Sequence, residues 1–211
     1  MRPSNVNVHL GAHLAMTADL PATCQIALKE WASVLQACAR GEQLVLIRKG
    51  GLIEPGSGFE LVSRQFLFYP TFEHQTVGFL RPTHQRDFED AIAKQPSDGR
   101  LCLELCGSVV SSIQSRDPTL IKRLEPVHIY NDAFLEQRLR WQPEQPLVVV
   151  VVRVFRLPSP QRLPLRSHYA GCKSWVELEQ PVSLEGATPV LDDQVFDERL
   201  TAIRATLSEA S

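Results

Sequence analysis

The sequence lacks a long apolar run, a secretory signal and any paired spacing of cysteines. A membrane-spanning helix needs about 18 consecutive apolar residues, whereas the longest apolar run here covers residues 146–152 and is typical of a strand buried on both faces. A single Arg2 stands near the N-terminus and no apolar segment follows before Pro21, so we expect no signal peptide. The five cysteines are odd in number and unevenly spaced, which argues against a disulfide framework. We therefore expect a cytoplasmic protein without membrane contact.

The motifs of several enzyme classes are also missing. No CxxC or HExxH spacing is present for a zinc site, and no serine lies in a GxSxG elbow. Cys102 and Cys106 stand on a predicted strand, which separates them by roughly 13 Å. The sequence thus predicts no metal and no cofactor.

Length and composition favour a folded domain with uneven charge. The chain has 211 residues, of which 44% are hydrophobic and 22% charged, and a chain of this kind can bury one full core. Residues 121–175 hold nine basic and four acidic side chains (+5), and residues 176–211 hold two basic and eight acidic ones (−6). The basic stretch is compatible with an anionic ligand. The alternative is that the two regions neutralise each other in the fold or across a homodimer.

Apolar periodicity predicts an α+β fold. Ala27, Trp31, Val34, Leu35 and Cys38 recur at three- and four-residue steps, which indicates a helix over residues 21–40 that ends at Gly41. Other helices are predicted at 83–94, 118–124 and 192–207 and after 131. Strands are predicted at 44–48, 59–62, 65–69, 101–110, 147–155 and 174–178, with a proline-rich loop at 158–164. Strands outnumber helices without regular alternation, so we predict a mixed, strongly curved or barrel-like sheet with flanking helices.

The same patterns divide the chain into three parts. Residues 1–20 show no periodicity and are expected to form a flexible arm. Residues 21–180 are expected to form a single α+β domain. Residues 181–211 are expected to form an acidic C-terminal extension that carries an amphipathic helix.

The first candidate site lies where the apolar residues 44–47 end in Arg48, Lys49, Gly50 and Gly51. Two cations beside two glycines let side chains and backbone N–H groups converge on a phosphate or carboxylate. The segment does not have the spacing of a P-loop. The alternative is a strand end with a tight turn and two solvated cations.

The second candidate site covers residues 69–75 (YPTFEHQ) and follows another apolar strand. Imidazole titrates near neutrality and a carboxylate can orient it, so Glu73 and His74 are candidates for an acid–base pair. Neighbouring side chains on an extended backbone point in opposite directions, so this pair requires an irregular backbone, which Pro70 favours. The alternative is a structural turn whose polar groups satisfy the main chain.

The third candidate site covers residues 167–175 (SHYAGCKSW), where polar and aromatic groups surround a glycine just before a strand. These residues are candidates for lining the same pocket as the first two segments. Cys172 beside Lys173 would have a lowered pKa only if it is partly exposed. The alternative is a loop packed by Tyr169 and Trp175.

These segments resemble an uncharacterised bacterial family, domain of unknown function 1802. The resemblance spans residues 21–178 and rests on ALKEWA at 27–32, RKGG at 48–51, YPT with HQ within 69–75, and GC with SW within 171–175. It implies membership of the family and brings no activity with it.

A second resemblance is to ASCH domains, which are relatives of the PUA RNA-binding fold. These domains carry a Gly-x-Lys-x-x-Glu-x-Arg pattern that runs from a helix end into a strand. Gly41 and Arg48 stand at the matching separation, whereas Gln43 and Leu46 occupy the lysine and glutamate places. The resemblance implies a PUA-like shape, and the two departures remove the charged pair that an ASCH hydrolase needs.

Three functions follow as predictions. The first is a PUA-like domain that binds RNA, DNA or a nucleotide-like anion, with the ligand held by Arg48, Lys49, Gly50, Gly51, Tyr69, Thr71, His168 and Trp175, and with His74 offering a further contact. The second is a small hydrolase acting on a nucleotide or amide, with a catalytic group formed by Lys49, Glu54, Glu73 and His74. The third is a non-catalytic scaffold for protein partners, including a second copy of the chain.

Overall fold

The computed structural model describes residues 8–9, 20–49, 62–171 and 173–208. Its strands are β1 (Val8–His9), β2 (Thr23–Trp31), β3 (Val45–Arg48), β4 (Gln65–Thr71), β5 (Arg100–Ser115), β6 (Leu147–Pro164), β7 (Trp175–Ser183) and β8 (Thr188–Pro189). Its α-helices are α1 (Ala32–Ala39), α2 (Gln85–Ala93), α3 (Pro118–Arg123), α4 (Asp132–Arg140) and α5 (Asp193–Ser208). Short 3-10 helices cover Val77–Phe79, Pro82–His84, Glu125–Val127 and Ser167–Tyr169. No helix in this part of the chain is long and apolar enough to cross a membrane.

One mixed sheet contains the described strands, in the order β3-β6-β5-β4-β2-β7, with β1 paired to β5 and β8 paired to β6. β2 and β4 run parallel, and the other pairs run antiparallel. Three strands separate β3 from β2 in this order, yet the side chain of Arg48 on β3 donates a hydrogen bond to the backbone of β2. The sheet therefore curls strongly on itself. The prediction of an α+β fold with a strongly curved mixed sheet is confirmed.

β2 replaces most of the helix predicted over residues 21–40, so that prediction is wrong. Residues 23–31 are extended, and only Ala32–Ala39 are helical. β2 lies between β4 and β7, with Ala27 packed in one core and Leu28 in the other. A strand buried on both faces shows no apolar alternation, so its buried positions can coincide with helical spacing. The predicted helix end is confirmed, because α1 ends at Ala39, Arg40 is its C-cap and Gly41 follows with a φ of 72°.

The proline-rich loop predicted at 158–164 is also wrong, because β6 continues to Pro164. Between Arg156 and Gln161 the register against β5 shifts, so that residues 157–160 stand opposite Glu104 alone. Two of these four residues are prolines. A bulge accepts proline because its missing N–H interrupts no ladder hydrogen bond there. The prolines mark an interruption of pairing and not the end of the strand.

The buried apolar residues form two cores, and successive residues of β2 and β4 alternate between them. The larger contains residues of α1, α4 and strands β2 to β6, and the smaller contains residues of β2, β4, β5, β6 and β7. α5 contributes to the larger core through Phe196, Leu200, Ile203 and Leu207. Arg199 of α5 also donates from Nη1 to the carbonyl of Gly41 at 2.6 Å. Residues assigned to the C-terminal extension thus pack in the same core as the preceding part of the chain.

Candidate functional site

Arg48, at the end of β3, forms a largely buried ion pair with Glu30 of β2. Its Nη2 lies 2.9 Å from Glu30 Oε2, and the two side chains are 17% and 7% exposed. The same nitrogen donates to the backbone carbonyl of Lys29. Glu30 Oε1 accepts the backbone N–H of Trp31 at 2.8 Å. Arg48 is therefore held by the protein itself and fastens β3 to β2.

Lys29 connects the other two candidate segments to the same place. Its Nζ donates to the carbonyl of Gly171 at 2.9 Å and lies 5.3 Å from the centroid of the Tyr69 ring. Its backbone N–H donates to the carbonyl of Ser174 at 2.8 Å. The segments that begin at residues 69 and 167 therefore contact the side chain of Lys29, whereas Arg48 contacts the Lys29 carbonyl and the side chain of Glu30 from the other side of β2.

α4 brings a second arginine to this place. Arg138 lies with Cζ 5.0 Å from the centroid of the Phe134 ring. Burial lowers the pKa of Arg138, and Arg48 also lowers it, whereas Tyr130 and Glu30 raise it. The charge of Arg48 thus acts on Arg138, whose guanidinium group is partly removed from water.

Lys49, the residue after β3, is also turned toward α4. Its Nζ donates to the carbonyl of Leu139 at 3.0 Å, and the residue is 4% exposed. Burial lowers the pKa of Lys49, and the charge of Arg116 lowers it further. The two cations predicted to be free for a ligand, Arg48 and Lys49, therefore already contact protein groups.

Four side-chain N–H groups near the end of β2 are buried and have no acceptor among the described residues: Arg48 Nε, Gln75 Nε2, Arg138 Nε and Trp175 Nε1. Gln75 reaches α1 just after Glu30, because its Oε1 accepts from Ser33 Oγ at 3.2 Å. Trp175 pairs in register with Leu28, just before Glu30. An unsatisfied buried donor costs on the order of 1–3 kcal/mol, so each requires an explanation. We call these four side chains, with Glu30, the β2 junction.

An aromatic cluster supports α4 beneath the β2 junction. The rings of Tyr130 and Phe134 stack at 4.0 Å with an interplanar angle of 8°, and Trp31 meets Phe134 edge-on at 5.7 Å. α4 begins where Asn131 accepts the backbone N–H of Phe134 at 3.1 Å, as its sequence predicts. The cluster fixes the helix turn that carries Arg138.

The proposed acid–base pair lies in the turn after β4. Glu73 and His74 are exposed, and His74 has a φ of 60°. Within the described ranges no hydrogen bond or ion pair joins Glu73, His74 and Lys49. Thr71 pairs in register with Trp31 at the end of β2.

Tyr69 faces the smaller core with two residues of the third segment. Its ring lies 6.3 Å from that of Tyr169, which in turn lies 4.4 Å from the exposed ring of His168. Burial raises the pKa of Tyr69 to about 12, with smaller effects from Tyr169 and Glu73. Tyr69 and His168 thus lie on the side of β2 opposite to Arg48.

Several predicted site residues lie outside the described residues. These are Gly50 and Gly51 of the phosphate-binding set, Glu54 of the catalytic set, and Cys172. The predicted strand at 59–62 falls almost wholly in the same part of the chain.

Sequence reasoning missed Glu30 and Arg138. In a helix over residues 21–40, Glu30 falls on the polar face, and only β2 places it inside the sheet beside Arg48. The sequence did contain one signal for a buried Glu30, namely that it is the single acidic residue in the segment ALKEWA at 27–32. Gln43, which stands at the lysine place of the ASCH pattern, is fully buried, and its amide connects the backbone of Val45 to that of Ile129.

A second group of titratable residues has the geometry of a metal site. Ligand atoms of Glu42, His84 and Asp87 all lie within 4.8 Å of one another. Arg40 Nη2, however, lies 2.7 Å from Glu42 Oε2 and 2.8 Å from Asp87 Oδ2. A cation would have to displace this guanidinium, so the arrangement fits an ion-pair network better than a metal centre.

Comparisons with known proteins give a family and a set of similar structures. A family model described as Domain of unknown function (DUF1802) matches residues 27–202. No curated protein matches the chain. A crystal structure of a serine-to-alanine mutant of an ASCH protein from Zymomonas mobilis is similar with a TM-score of 0.46 and 11% identity, covering 76% of this chain and 92% of that one. A crystal structure of ASCH from Zymomonas mobilis gives a TM-score of 0.44 and 12% identity, covering 74% and 87%.

Proposed function

Because the chain belongs to the family described as Domain of unknown function (DUF1802), a description without an activity, we propose its function from the geometry of the β2 junction. The chain is a PUA-like domain that binds single-stranded nucleic acid, or a nucleotide-like anion, at this junction. The observation that carries the proposal is the set of four buried donors without an acceptor in the described ranges.

The chemistry of these donors selects an anionic, hydrogen-bond-accepting ligand. Two of them belong to guanidinium groups, and a phosphate oxygen is a strong acceptor for such groups. The other two are an amide and an indole, which pair with the carbonyl edges of bases or with sugar oxygens. A nucleotide presents both kinds of acceptor, since it carries phosphate oxygens as well as base carbonyls and sugar oxygens.

Electrostatics point to the same ligand class. Glu30 balances one of the two guanidinium charges at the junction, and burial lowers the pKa of Arg138 and of the neighbouring Lys49. A dehydrated cation gains more from an anionic partner than a solvated one does. One guanidinium charge at the β2 junction is therefore not balanced by Glu30, which favours binding of an anion.

The decisive variant is Arg138→Gln, with Arg140→Gln as its matched control. Arg140 lies on the same helix, is 82% exposed and pairs only loosely with Glu136 at 3.3 Å. We expect Arg138→Gln to weaken binding of a single-stranded RNA or DNA oligonucleotide by about tenfold or more, and to reduce the salt slope by roughly 0.7 to 0.9. Fluorescence anisotropy across a salt series measures both quantities.

A second variant, Trp175→Phe, separates binding from folding. It removes a buried N–H that has no acceptor in the described ranges and keeps an aromatic ring against Phe66, whose centroid is 5.5 Å away. Stability should stay close to that of the parent, while affinity for the oligonucleotide should fall. Absence of binding at low salt, or equal affinities for the Arg138 and Arg140 variants, would sink the proposal.

The remaining predictions have less support. A hydrolase built on Lys49, Glu54, Glu73 and His74 stays a prediction, because Glu54 is not among the described residues and the other three share no contact there. A cytoplasmic location and a bacterial source are proposals that fit a nucleic-acid-binding domain, and cell fractionation would test the location. A homodimer is a further proposal, which light scattering would test.

A further inference from the structure

Gln75, in the turn after β4, satisfies the start of α1 with its side-chain amide. Its Oε1 accepts the backbone N–H of Ser33 at 3.4 Å and the hydroxyl of Ser33 at 3.2 Å. Ser33 is the second residue of α1, and the first N–H groups of a helix have no acceptor within the helix. Trp31, at the N-cap position, provides no side-chain hydrogen bond. Gln75 therefore supplies an acceptor that the start of α1 needs.

This contact fixes the orientation of the Gln75 amide. A glutamine amide can turn over and offer either its oxygen or its nitrogen to a partner. A backbone N–H can only donate, so the oxygen faces Ser33 and Nε2 is left for another partner. Nε2 is buried and has no acceptor in the described part of the chain. Gln75 therefore acts at the β2 junction as a donor only.

The other unsatisfied groups of the β2 junction are donors as well. They are Trp175 Nε1, Arg48 Nε and Arg138 Nε, and neither an indole nor a guanidinium group has an acceptor. Both oxygens of Glu30 already accept protein N–H groups, one from Trp31 and the other from Arg48. Within the described residues, the junction thus has unsatisfied donors and no unsatisfied acceptor.

A site of this kind distinguishes between the exocyclic groups of nucleic-acid bases. Guanine, uracil and thymine carry a carbonyl oxygen where adenine and cytosine carry an amino group. A carbonyl accepts from a buried N–H, whereas an amino group placed there leaves two donors facing each other without a partner. We propose that Gln75 makes the β2 junction selective for bases with this carbonyl over adenine and cytosine. This inference rests on the function proposed above and adds to it the class of base that is bound.

The base preference is measured on the parent protein with ligands of equal charge. Single-stranded oligonucleotides of about ten uridines or about ten cytidines carry the same phosphates, so the electrostatic part of binding is the same for both. Their bases differ in the carbonyl or amino group and in the protonation of the neighbouring ring nitrogen. We expect the uridine oligonucleotide to bind about fivefold or more tightly in fluorescence anisotropy at neutral pH and fixed salt.

The role of Gln75 is tested with Gln75→Glu, which keeps an acceptor for Ser33 and replaces Nε2 by an oxygen. The ratio of the uridine to the cytidine affinity should fall to about one or below. Gln137→Glu is the matched control, because it adds the same charge at an exposed position of α4, the helix that carries Arg138. It should lower both affinities alike and leave the ratio as in the parent. A loss of folded protein would also lower both affinities alike, so the ratio separates base recognition from stability.

The outcomes distinguish this inference from the function on which it rests. Binding of both oligonucleotides by the parent with equal affinity would overturn the base preference and leave the proposed function standing. An unchanged ratio in Gln75→Glu would also overturn the inference, because the preference would then arise elsewhere. If neither oligonucleotide binds at low salt, the proposed function fails and the inference fails with it.

Discussion

His128 shows how the environment of a single residue sets a measurable pH dependence. The residue is 1% exposed, its Nε2 donates to the carbonyl of Ile121 at 3.3 Å, and burial lowers its pKa to about 4. An unfolded histidine has a pKa of about 6.5. Between these two values the unfolded chain binds a proton that the folded chain does not, so stability falls as the pH falls.

We therefore expect the parent protein to lose about 2 kcal/mol more than His128→Gln between pH 7 and pH 5. Urea unfolding of both proteins at the two pH values gives this difference, and the other titrating groups cancel in the comparison. Parallel pH dependences of the two proteins would show that His128 is not responsible.

Residue-scale prediction succeeded where the signal was local. The helix end at Gly41 and the starts of the helices predicted at 118–124 and after 131 were readable because each cap depends on residues close in sequence, and Asp117 and Asn131 cap the two starts. Glu30 was not readable, because its burial depends on Arg48, which reaches it only after the sheet has curled. Whether a charged side chain is buried depends on partners that are distant in the sequence. The periodicity of apolar residues carries no information about those partners.

At the scale of elements, β4 and β5 pack so closely that one glycine is required between them. A Cβ added at Gly107 of β5 would lie 2.9 Å from Phe68 Cε2 and 3.0 Å from Phe66 Cζ. Both rings are at most 1% exposed and have little room to move. We expect Gly107→Ala to reduce the free energy of unfolding by about 1 to 3 kcal/mol.

Chemical denaturation of Gly107→Ala alongside Gly78→Ala checks this expectation. A Cβ at Gly78 would meet nothing closer than Thr76 Cγ2 at 3.8 Å, so its variant should stay within about 0.5 kcal/mol of the parent. If both variants are equally stable, the phenylalanine rings have more freedom than the packing indicates.

Most strands and helices were predicted near their observed positions, and the two errors have the same physical cause. β3, β4, β5 and β7 begin within two residues of their predicted starts, and α5 matches its predicted range closely. β2 and the second half of β6 were assigned wrongly, since one is buried on both faces and the other contains a bulge with prolines. In both cases pairing with neighbouring strands overrode the local preference of the sequence.

At the scale of the whole molecule, the Arg48–Glu30 ion pair joins two strands that the sheet order keeps apart. Removing one partner leaves the other charge buried and unpaired. We expect Glu30→Gln to cost about 3 kcal/mol of stability, whereas Glu136→Gln, which breaks the exposed pair with Arg140, should cost less than about 0.5 kcal/mol.

A double-mutant cycle with Arg48→Met completes the measurement. The double variant should be more stable than the sum of the two single changes predicts, because it leaves no lone charge behind. Strictly additive effects in thermal or urea unfolding would show that the two side chains are not energetically coupled.

Arg48 has both a structural and a proposed ligand-binding role, and this affects how selection experiments on this protein should be interpreted. Its Nη2 is committed to fastening the curled sheet, while its Nε remains available at the junction. A library screened for activity in cells will score almost every substitution there as harmful, whether the lost property is ligand recognition or simple abundance. Only neighbours without a fastening role, such as Arg138, can report on recognition by itself.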